Sequence, residues 1–223
     1  MTKLILMRHG RSAWNQKNLF TGWVDIPLSE EGVREAVEGG KLIKDVPIDV
    51  AFTSTLIRAQ MTLALALLHH SSGKIAAFQH SGQGKLEQWS HVHGKEAENE
   101  LLPVYSAWEL NERMYGKLQG LDKAQTAREF GSEQVHIWRR SYDQAPPEGE
   151  SLKMTAARTI PYFEQTIFPH IEKGDNVFVA AHGNSLRSIV MRLENLSKEE
   201  VVSLEIPTGK PLIYTYEQGK WSI

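Results

Sequence analysis

Leu4-Ile5-Leu6-Met7-Arg8-His9-Gly10 is the stretch that decides the fold. An unbroken apolar run of this length reads as a strand buried on both faces, and it stops abruptly at an arginine, a histidine and a glycine. The pattern recurs as Val177-Phe178-Val179-Ala180-Ala181-His182-Gly183, followed by Asn184 and Ser185. Each copy predicts a strand that ends in His-Gly and turns into a helix. Ligands of open parallel sheets collect at the carboxyl ends of the strands, so both histidines are expected to face one pocket. A lone histidine at a strand end is usually a structural residue. The doubled pattern, with Arg8 fixed beside one copy, favours His9 as a nucleophile toward phosphate and His182 as its neighbour.

The totals narrow the class. A chain of 223 residues fits one α/β domain with an inserted subdomain. Apolar content of 41% and charged content of 23% describe an ordinary globular protein. A net charge of -2 argues against a nucleic-acid partner held by bulk electrostatics, and leaves room for a local basic pocket. The absence of cysteine excludes disulfides, thiolate nucleophiles and Cys-based zinc sites. Met1-Thr2-Lys3 runs straight into the first strand without a signal-peptide pattern, and no apolar run approaches the roughly 18 residues of a membrane span. A cytoplasmic enzyme with no membrane partner is expected.

Between the two His-Gly copies, strand-like and helix-like stretches alternate. Residues 19–28 form a loop with no period but enough aromatic mass to hold a shape, and long ordered loops are commonly functional. Ser29 reads as an N-cap, with Glu30 and Glu31 at the positive end of a helix. That helix is expected to carry Val33, Ala36 and Val37 inward and to end near Lys44-Asp45. Asp49 to Phe52 is a second strand, Thr53-Ser54 its exit turn, and Leu56 to Leu68 a helix apolar enough to be buried on nearly every side. Arg58, in its first turn, belongs with the same pocket. Residues 71–102, broken by Gly73, Gly82, Gly84 and Gly94, read as an insertion of loops with one helix around Lys95 to Leu101. His69-His70 and His91-Val92-His93 have no companion carboxylates or cysteines for a metal and are expected to be solvated; no metal is expected. Val104 to Trp108 is expected to be a strand. Pro146 to Ser151 reads as a hinge-like turn, and Pro161 is expected to kink or begin the next helix. Leu186 to Leu193 and Leu212 to Tyr216 supply the last helix and strand. The alternation predicts an α/β fold over 1–223: one domain with a mostly parallel central sheet, helices on both faces and the histidines at strand C-terminal ends. The insertion near 71–102 and a helical cap near 111–150 complete it.

These residues suit phosphoryl transfer. An imidazole of ordinary pKa, about 6.5, is a competent nucleophile near neutrality. Arg8 and Arg58 match phosphoryl oxygens with their guanidinium forks. His182, if protonated, would stabilise transition-state charge. A carboxyl must then protonate the leaving oxygen and later deprotonate the incoming hydroxyl; Glu112 is the choice, because it lies in a polar loop beside a basic segment. From Asn111 to Arg140 six basic residues stand against four acidic ones. This is either a mixed, solvated helical face or a basic cap for a second anionic group.

Arg8-His9-Gly10 with the later His182-Gly183 resembles the histidine phosphatase superfamily and, more narrowly, its cofactor-dependent phosphoglycerate mutases. Residues 18–29 (Asn18-Leu19-Phe20-Thr21-Gly22-Trp23 and onward), Leu110-Asn111-Glu112-Arg113, Tyr115-Gly116, Leu118-Gln119-Gly120-Leu121 and Ile206-Pro207-Thr208-Gly209 carry the likeness, which covers most of the chain except roughly 71–102. The resemblance implies a phosphohistidine at His9, Glu112 as proton donor and acceptor, and His182 as the group that steadies the transferred phosphoryl. It implies that Arg8 and Arg58 hold that phosphoryl, joined by Asn15, Gly183 and Asn184. By the same matching, Ser12, Thr21, Gly22, Arg113, Tyr115, Lys123, Arg139 and Arg140 bind the substrate's carboxylate and its other phosphate. It further implies 2,3-bisphosphoglycerate as the priming cofactor, no metal, small phosphoglycerates as partners, and a monomer or homodimer.

The chain departs from that pattern in places. Arg11 stands where a glutamate is common and Met114 where a histidine is common, with consequences expected for charge near His9 and for loop packing. Residues after Tyr216 are fewer than the polar tail of longer members, which bears on water exclusion and on the balance of mutase and phosphatase activity. The leading expectation is interconversion of 3-phosphoglycerate and 2-phosphoglycerate; the rival is a histidine phosphatase acting on a small phosphate ester. A non-catalytic phosphate-binding protein would be expected to lack one of His9, Glu112 or His182, and all three are present.

Overall fold

The first strand, β1 (Thr2–Arg8), is buried on both faces because its alternation has no polar phase. The computed structural model, which describes residues 1–223, continues with α1 (Ala13–Gln16), α2 (Glu30–Ile43), β2 (Val50–Thr53), α3 (Ile57–Leu67), β3 (Ile75–Gln79), α4 (Lys85–Trp89) and α5 (Lys95–Asn99). Next come β4 (Leu101–Ser106), α6 (Lys123–Phe130), α7 (Ser132–Arg140), α8 (Leu152–Tyr162) and α9 (Phe168–Lys173). The chain finishes with β5 (Val177–Ala181), α10 (Gly183–Glu194), α11 (Lys198–Ser203), β6 (Pro211–Glu217) and β7 (Lys220–Ser222).

One seven-stranded sheet has the order β3-β4-β2-β5-β1-β6-β7. The first five strands are parallel; β6 runs antiparallel to β1, and β7 to β6. Leu4, Leu6, Val177 and Val179 pack on one face with Phe163, Ile167, Leu186 and Ile189, while Ile5, Met7, Phe178 and Ala180 pack on the other with Ile43, Leu63 and Ala66. Helices therefore cover both faces, as the α/β reading requires. The two His-Gly copies pair in register, Leu4 opposite Val177 through Arg8 opposite Ala181. No helix is long and apolar enough to cross a membrane.

Several local expectations change. The segment 71–102 is not only loops and one helix: β3 extends the parallel sheet beside β4, and α4 and α5 follow. As an edge strand with Ile75 and Phe78 exposed, β3 lacks the burial signature that marks the central strands. Strand β4 begins at Leu101 and ends at Ser106, so Trp108 opens a 3-10 turn instead of closing the strand. Helix α3 buries one face only: Ala59, Leu63, Ala66 and Leu67 face inward, while Ala64 and Leu68 are exposed. His70 is not simply solvated, since its Nε2 lies 2.9 Å from the Val46 carbonyl. Pro161 sits inside α8, and the helix passes into a π-turn at Phe163–Ile167, which takes up the missing backbone bond.

The buried face of α2 is Gly32, Ala36, Gly39, Gly40 and Ile43; Val33 and Val37 are only half-buried. Glycine lets the helix backbone touch its neighbours directly. A Cβ on Gly40 would lie 2.3 Å from the Ala66 carbonyl oxygen, and one on Gly32 would lie 2.0 Å from that of Arg11. Alanine is the better helix former by about 1 kcal/mol, but overpacking against backbone costs about 1–3 kcal/mol. Gly40→Ala is therefore expected to lower stability, by up to about 2 kcal/mol, in urea unfolding. An unchanged or raised midpoint would show that α2 is free to move off α3.

Candidate active site

Because β1 and β5 pair in register, His9 and His182 leave the sheet side by side, their ring centroids 4.9 Å apart and the planes inclined at 62°. The His9 N–H donates to the Ala181 carbonyl at 2.9 Å, and the His182 N–H donates to Ser185 Oγ at 3.2 Å. Gly10 N–H donates to Thr62 Oγ1 on α3 at 3.1 Å, and a Cβ on Gly10 would meet the Gly32 carbonyl at 2.1 Å. The turn after His9 is thus clamped between α2 and α3.

The bonds of each ring fix its proton. His9 Nδ1 lies 2.7 Å from the Gly10 carbonyl, which can only accept, so Nδ1 carries the hydrogen and Nε2 keeps its lone pair. Burial first, then the Arg58 and Arg8 charges, hold the His9 pKa well below the ordinary histidine value. His182 Nε2 lies 2.7 Å from Ser54 Oγ, which also accepts the Leu56 N–H at 3.1 Å. The Ser54 hydroxyl has no acceptor other than Nε2, so it donates there and the His182 proton resides on Nδ1. That Nδ1 is buried without a partner. Burial, Arg58 and His9 lower the His182 pKa well below its ordinary value. The protonated His182 expected from sequence is replaced, in the free site, by a neutral ring with an open N–H donor.

Arg58 is 1% exposed and spends two nitrogens on the 22–24 loop, NH1 to the Val24 carbonyl at 3.0 Å and NH2 to that of Gly22 at 2.6 Å. Burial, opposed by the Glu112 and Asp25 carboxylates, lowers its pKa to about 10. Arg8 NH1 donates to the Ile206 carbonyl at 2.9 Å. Arg8 Nε, Arg58 Nε, Thr21 Oγ1 and His182 Nδ1 remain buried and unpaired. Unmet buried donors carry a desolvation cost of about 1–3 kcal/mol each, and an anion with several oxygens would relieve it.

Glu112 accepts three bonds on Oε1, from the Arg113 N–H (2.7 Å), Asn184 Nδ2 (2.8 Å) and the Asn184 N–H (3.3 Å), leaving Oε2 without a protein partner. Burial pushes its pKa up, but those bonds and the Arg8 and Arg58 charges outweigh it, so the net shift is down. The loop that carries Glu112 has no regular structure of its own and is held by Arg158 of α8. That guanidinium donates to the carbonyls of Trp108, Glu109, Asn111 and Glu112, and forks onto Glu150 with both contacts at 2.9 Å.

His9 opens into a small cavity of about 130 Å³, and His182 is fully buried beside it. Of the residues expected at the site, Arg8, His9, Asn15, Thr21, Gly22, Arg58, Glu112, Tyr115, Lys123, Arg139, Arg140, Gly183 and Asn184 line it. Three expected residues do not: His182, buried beside His9, and the binding residues Ser12 and Arg113. Ser12 is fully buried and caps α1, its Oγ accepting the Asn15 N–H at 3.1 Å while Asn15 Oδ1 accepts the Ser12 N–H; it orients Asn15. Arg113, 1% exposed, lies against the Tyr115 ring at 4.8 Å and donates to the Tyr115 hydroxyl and the Arg139 carbonyl, so it braces the cap from behind. Arg11 leaves the charge at His9 alone: its guanidinium pairs with Glu31 at 2.9 Å on α2. Pro146 to Ser151 is no hinge, since Pro147 O accepts the Lys117 N–H and the backbones of Met114 and Glu150 are tied to each other. Met114 belongs to that packing. Sequence reasoning missed Ser54, Arg158, Arg187 and Glu205, of which the last two line the cavity. Arg187 falls one helical turn after Gly183, a spacing that would have placed it on the same face.

His9, Glu112 and His182 bring their ligand atoms within 4.8 Å of one another, a spacing a metal set also shows. The surrounding charge does not suit a cation, because Arg8 and Arg58 press on the same atoms and offer N–H donors. The chemistry of the donor set is that of an anion site.

The sequence pattern of the histidine phosphatase superfamily (branch 1) matches residues 4–82 and 91–223. The chain belongs to this superfamily. Among its relatives, the protein named 2,3-bisphosphoglycerate-dependent phosphoglycerate mutase from Protochlamydia amoebophila is 59% identical over 221 residues, spanning 99% of this chain and 98% of that one. The Chlamydia pneumoniae protein of the same name is 56% identical over 220 residues, spanning 99% and 96%. Bacillus stearothermophilus YhfR superposes with a TM-score of 0.75 at 22% identity, over 100% of this chain and 95% of that one. A mycobacterial glucosyl-3-phosphoglycerate phosphatase gives 0.74 at 23%, over 100% and 97%. At such identity these two structures establish the shared superfamily fold alone.

Two tests follow from this geometry. Below the unfolded value of about 6.5 an exposed histidine takes up a proton that His9 and His182 refuse when folded. Their contribution is complete above that pH and is lost as pH falls through it toward their depressed folded values. The melting temperature is expected to drop from pH 7 to pH 5 in phosphate-free buffer, and His182→Asn to flatten that slope; an equal slope in the variant would contradict the buried neutral ring. Arg158→Met strands the part-buried Glu150 carboxylate and five backbone acceptor contacts, and losing hydrogen bonds to a charged group costs about 1.5–3 kcal/mol. A loss below about 1 kcal/mol in chemical unfolding would show that solvent replaces the guanidinium.

Proposed function

We propose that the chain interconverts 3-phosphoglycerate and 2-phosphoglycerate, a step of glycolysis and gluconeogenesis, through a phosphohistidine at His9. The observation that carries this reading is the double anion character of one cavity. His9, Arg8 and Arg58 form its buried end, and Lys123, Arg139 and Arg140 of the cap line the same space. A phosphate monoester without a second anionic group needs only the first. The names of the close relatives support the same substrate class.

The residues would act as follows. The His9 Nε2 lone pair attacks phosphorus, and the bond from phosphorus to the leaving oxygen breaks. The Glu112 carboxyl gives that oxygen a proton. In the second half the Glu112 carboxylate takes the proton of an incoming hydroxyl, whose oxygen attacks the phosphoryl group, and the phosphorus–nitrogen bond breaks with the electron pair returning to Nε2. Glu112 is ionised in the free site. A bound phosphoryl dianion offsets the Arg8 and Arg58 charges that depress it, and so raises its pKa toward the range where it holds a proton. His182 Nδ1–H, Arg8 Nε and Arg58 Nε are the open donors for the phosphoryl oxygens. The same donors fit 2,3-bisphosphoglycerate, which supplies, when bound, the phosphoryl group that loads His9. Asn15, Gly183 and Asn184 would join the phosphoryl group, and Thr21, Gly22, Tyr115 and the cap cations, which line the same cavity, would bind the carboxylate and the other phosphate. We place the enzyme in the cytoplasm, as a monomer or homodimer working on small phosphoglycerates without nucleic acid, membrane or metal.

A second reading, hydrolysis of a small phosphate ester, uses the His9, Arg8 and Arg58 end of the cavity and asks nothing of Lys123, Arg139 and Arg140. Conversion of 3-phosphoglycerate to 2-phosphoglycerate is expected to be stimulated by trace 2,3-bisphosphoglycerate, to survive a chelator, and to fall by orders of magnitude in His9→Ala. Release of inorganic phosphate without isomerisation would select the second reading.

A further inference from the structure

Two guanidiniums from different parts of the chain converge on one carboxylate at the cavity mouth. Arg140, at the C-terminal end of α7, places NH2 2.8 Å from Glu205 Oε1. Arg187, one turn into α10, places NH2 3.7 Å from Glu205 Oε2. All three residues line the cavity.

Arg187 is built into place. Its side chain is 11% exposed, Nε donates to the Leu204 carbonyl at 2.7 Å, and NH1 reaches Asn184 Oδ1 at 3.4 Å. The guanidinium is thereby pinned by its inner edge, and NH2 has no partner closer than the 3.7 Å contact with Glu205. Burial and then the neighbouring Arg140 charge lower its pKa, as expected for two like charges sharing a partly dry site. Asn184 links it to the reaction centre, because the same side chain donates to Glu112.

Glu205 is held differently. Its side chain is 63% exposed, whereas the backbone around it is fixed: Ile206 is buried, its carbonyl accepts Arg8 NH1, and Gly209 N–H donates to the Arg8 carbonyl. The carboxylate can swing out to water without moving the loop. A single negative charge on a solvated side chain facing two cations, one of them (Arg187) pinned, leaves the pair half-neutralised. A phosphate dianion would neutralise both.

We propose that Arg187, together with Arg140, binds the distal anionic group of a two-anion ligand, and that Glu205 is an internal carboxylate occupying this subsite until the ligand displaces it. The inference rests on the phosphoglycerate reading above and adds a residue pair to it. Exposed ion pairs are weak, so displacement costs little. Its effect is to penalise weakly charged ligands, which cannot outcompete the carboxylate, more than dianionic ones.

The test is calorimetric titration of 2,3-bisphosphoglycerate and of inorganic phosphate into the wild-type protein, Glu205→Gln, Arg187→Gln and Arg187→Lys, with thermal melts of each. Wild-type isomerase activity is measured first, so that failure of the phosphoglycerate reading is recognised separately. Glu205→Gln is exposed and safe for folding; it should bind 2,3-bisphosphoglycerate roughly two- to fivefold more tightly, the size of an exposed ion pair. The gain should shrink at high salt. Arg187→Gln should weaken the same ligand on the order of tenfold, as for a lost charge-assisted hydrogen bond, and Arg187→Lys should recover part of that loss. Unchanged or weaker binding by Glu205→Gln would overturn the displacement role and make Glu205 a brace for Arg140. Equal losses for Gln and Lys at 187, with equal losses of melting temperature, would reduce Arg187 to a structural residue.

Discussion

The structure is organised by one electrostatic constraint: two guanidiniums, Arg8 and Arg58, are held against two buried imidazoles with a single carboxylate, Glu112, between them. Inside a packed α/β core such charge is not dissipated by water. Burial first, and that charge second, keep both histidines neutral, while hydrogen bonds from Asn184 and Arg113 together with the charge keep Glu112 ionised. This is the protonation pattern a phosphoryl acceptor needs before it meets an anion. Backbone carbonyls of Gly22, Val24 and Ile206 blunt the charge without cancelling it. The site is stable enough to fold and still short of negative charge, and that shortage is what selects its ligand.

Placement of the carboxylate is the second half of the problem. Glu112 comes from an irregular loop, and irregular loops do not hold side chains to fractions of an ångström unaided. The part-buried Arg158–Glu150 pair supplies the rigidity: its guanidinium collects the carbonyls of Trp108, Glu109, Asn111 and Glu112, and its faces lie over Trp23 and Trp108 at 5.4 and 5.9 Å. An ion pair of this kind adds little net stability. Its worth here is geometric, since no apolar side chain would gather four carbonyls at one point.

What could be read from sequence divides along physical lines. The two His-Gly strands were legible because period-two burial and an abrupt polar stop are local properties, and in-register parallel pairing converts them directly into adjacency of His9 and His182. Arg58 was legible as a charge out of place on an otherwise apolar helix, whereas the cap cations showed only as a basic excess that the family resemblance made specific. Ser54 and Arg158 were not, because each acts on a residue far away in the chain, and a serine in a turn or an arginine in a helix carries no mark of its partner. The glycine face of α2 is hidden for a different reason: glycine has no hydropathic signature, so Val33 and Val37 dominate the pattern of that segment. Pro146-Pro147 looked like a hinge because the same residues make mobile and pinned turns, and only the tie to residues 114–117 distinguishes them. Arg11 looked important beside His9, yet one turn of backbone sends it to Glu31.

The same electrostatic logic bears on how one cavity handles both halves of an isomerisation. Under the proposed reading, the ligand must present first one phosphate and then the other to His9. A pocket that recognised its ligand by shape would hold one orientation and oppose the exchange. Here both ends are recognised by convergent guanidinium and ammonium groups, and charge does not distinguish one phosphate of a bisphosphate from the other. The two orientations are therefore close in energy at the level of the anion sites. Orientation is left to the smaller contacts of Asn15, Thr21 and Tyr115, which are individually weaker than the charge-assisted bonds. A site built this way keeps its ligand while letting it turn, and the excess of cations becomes the means of transfer.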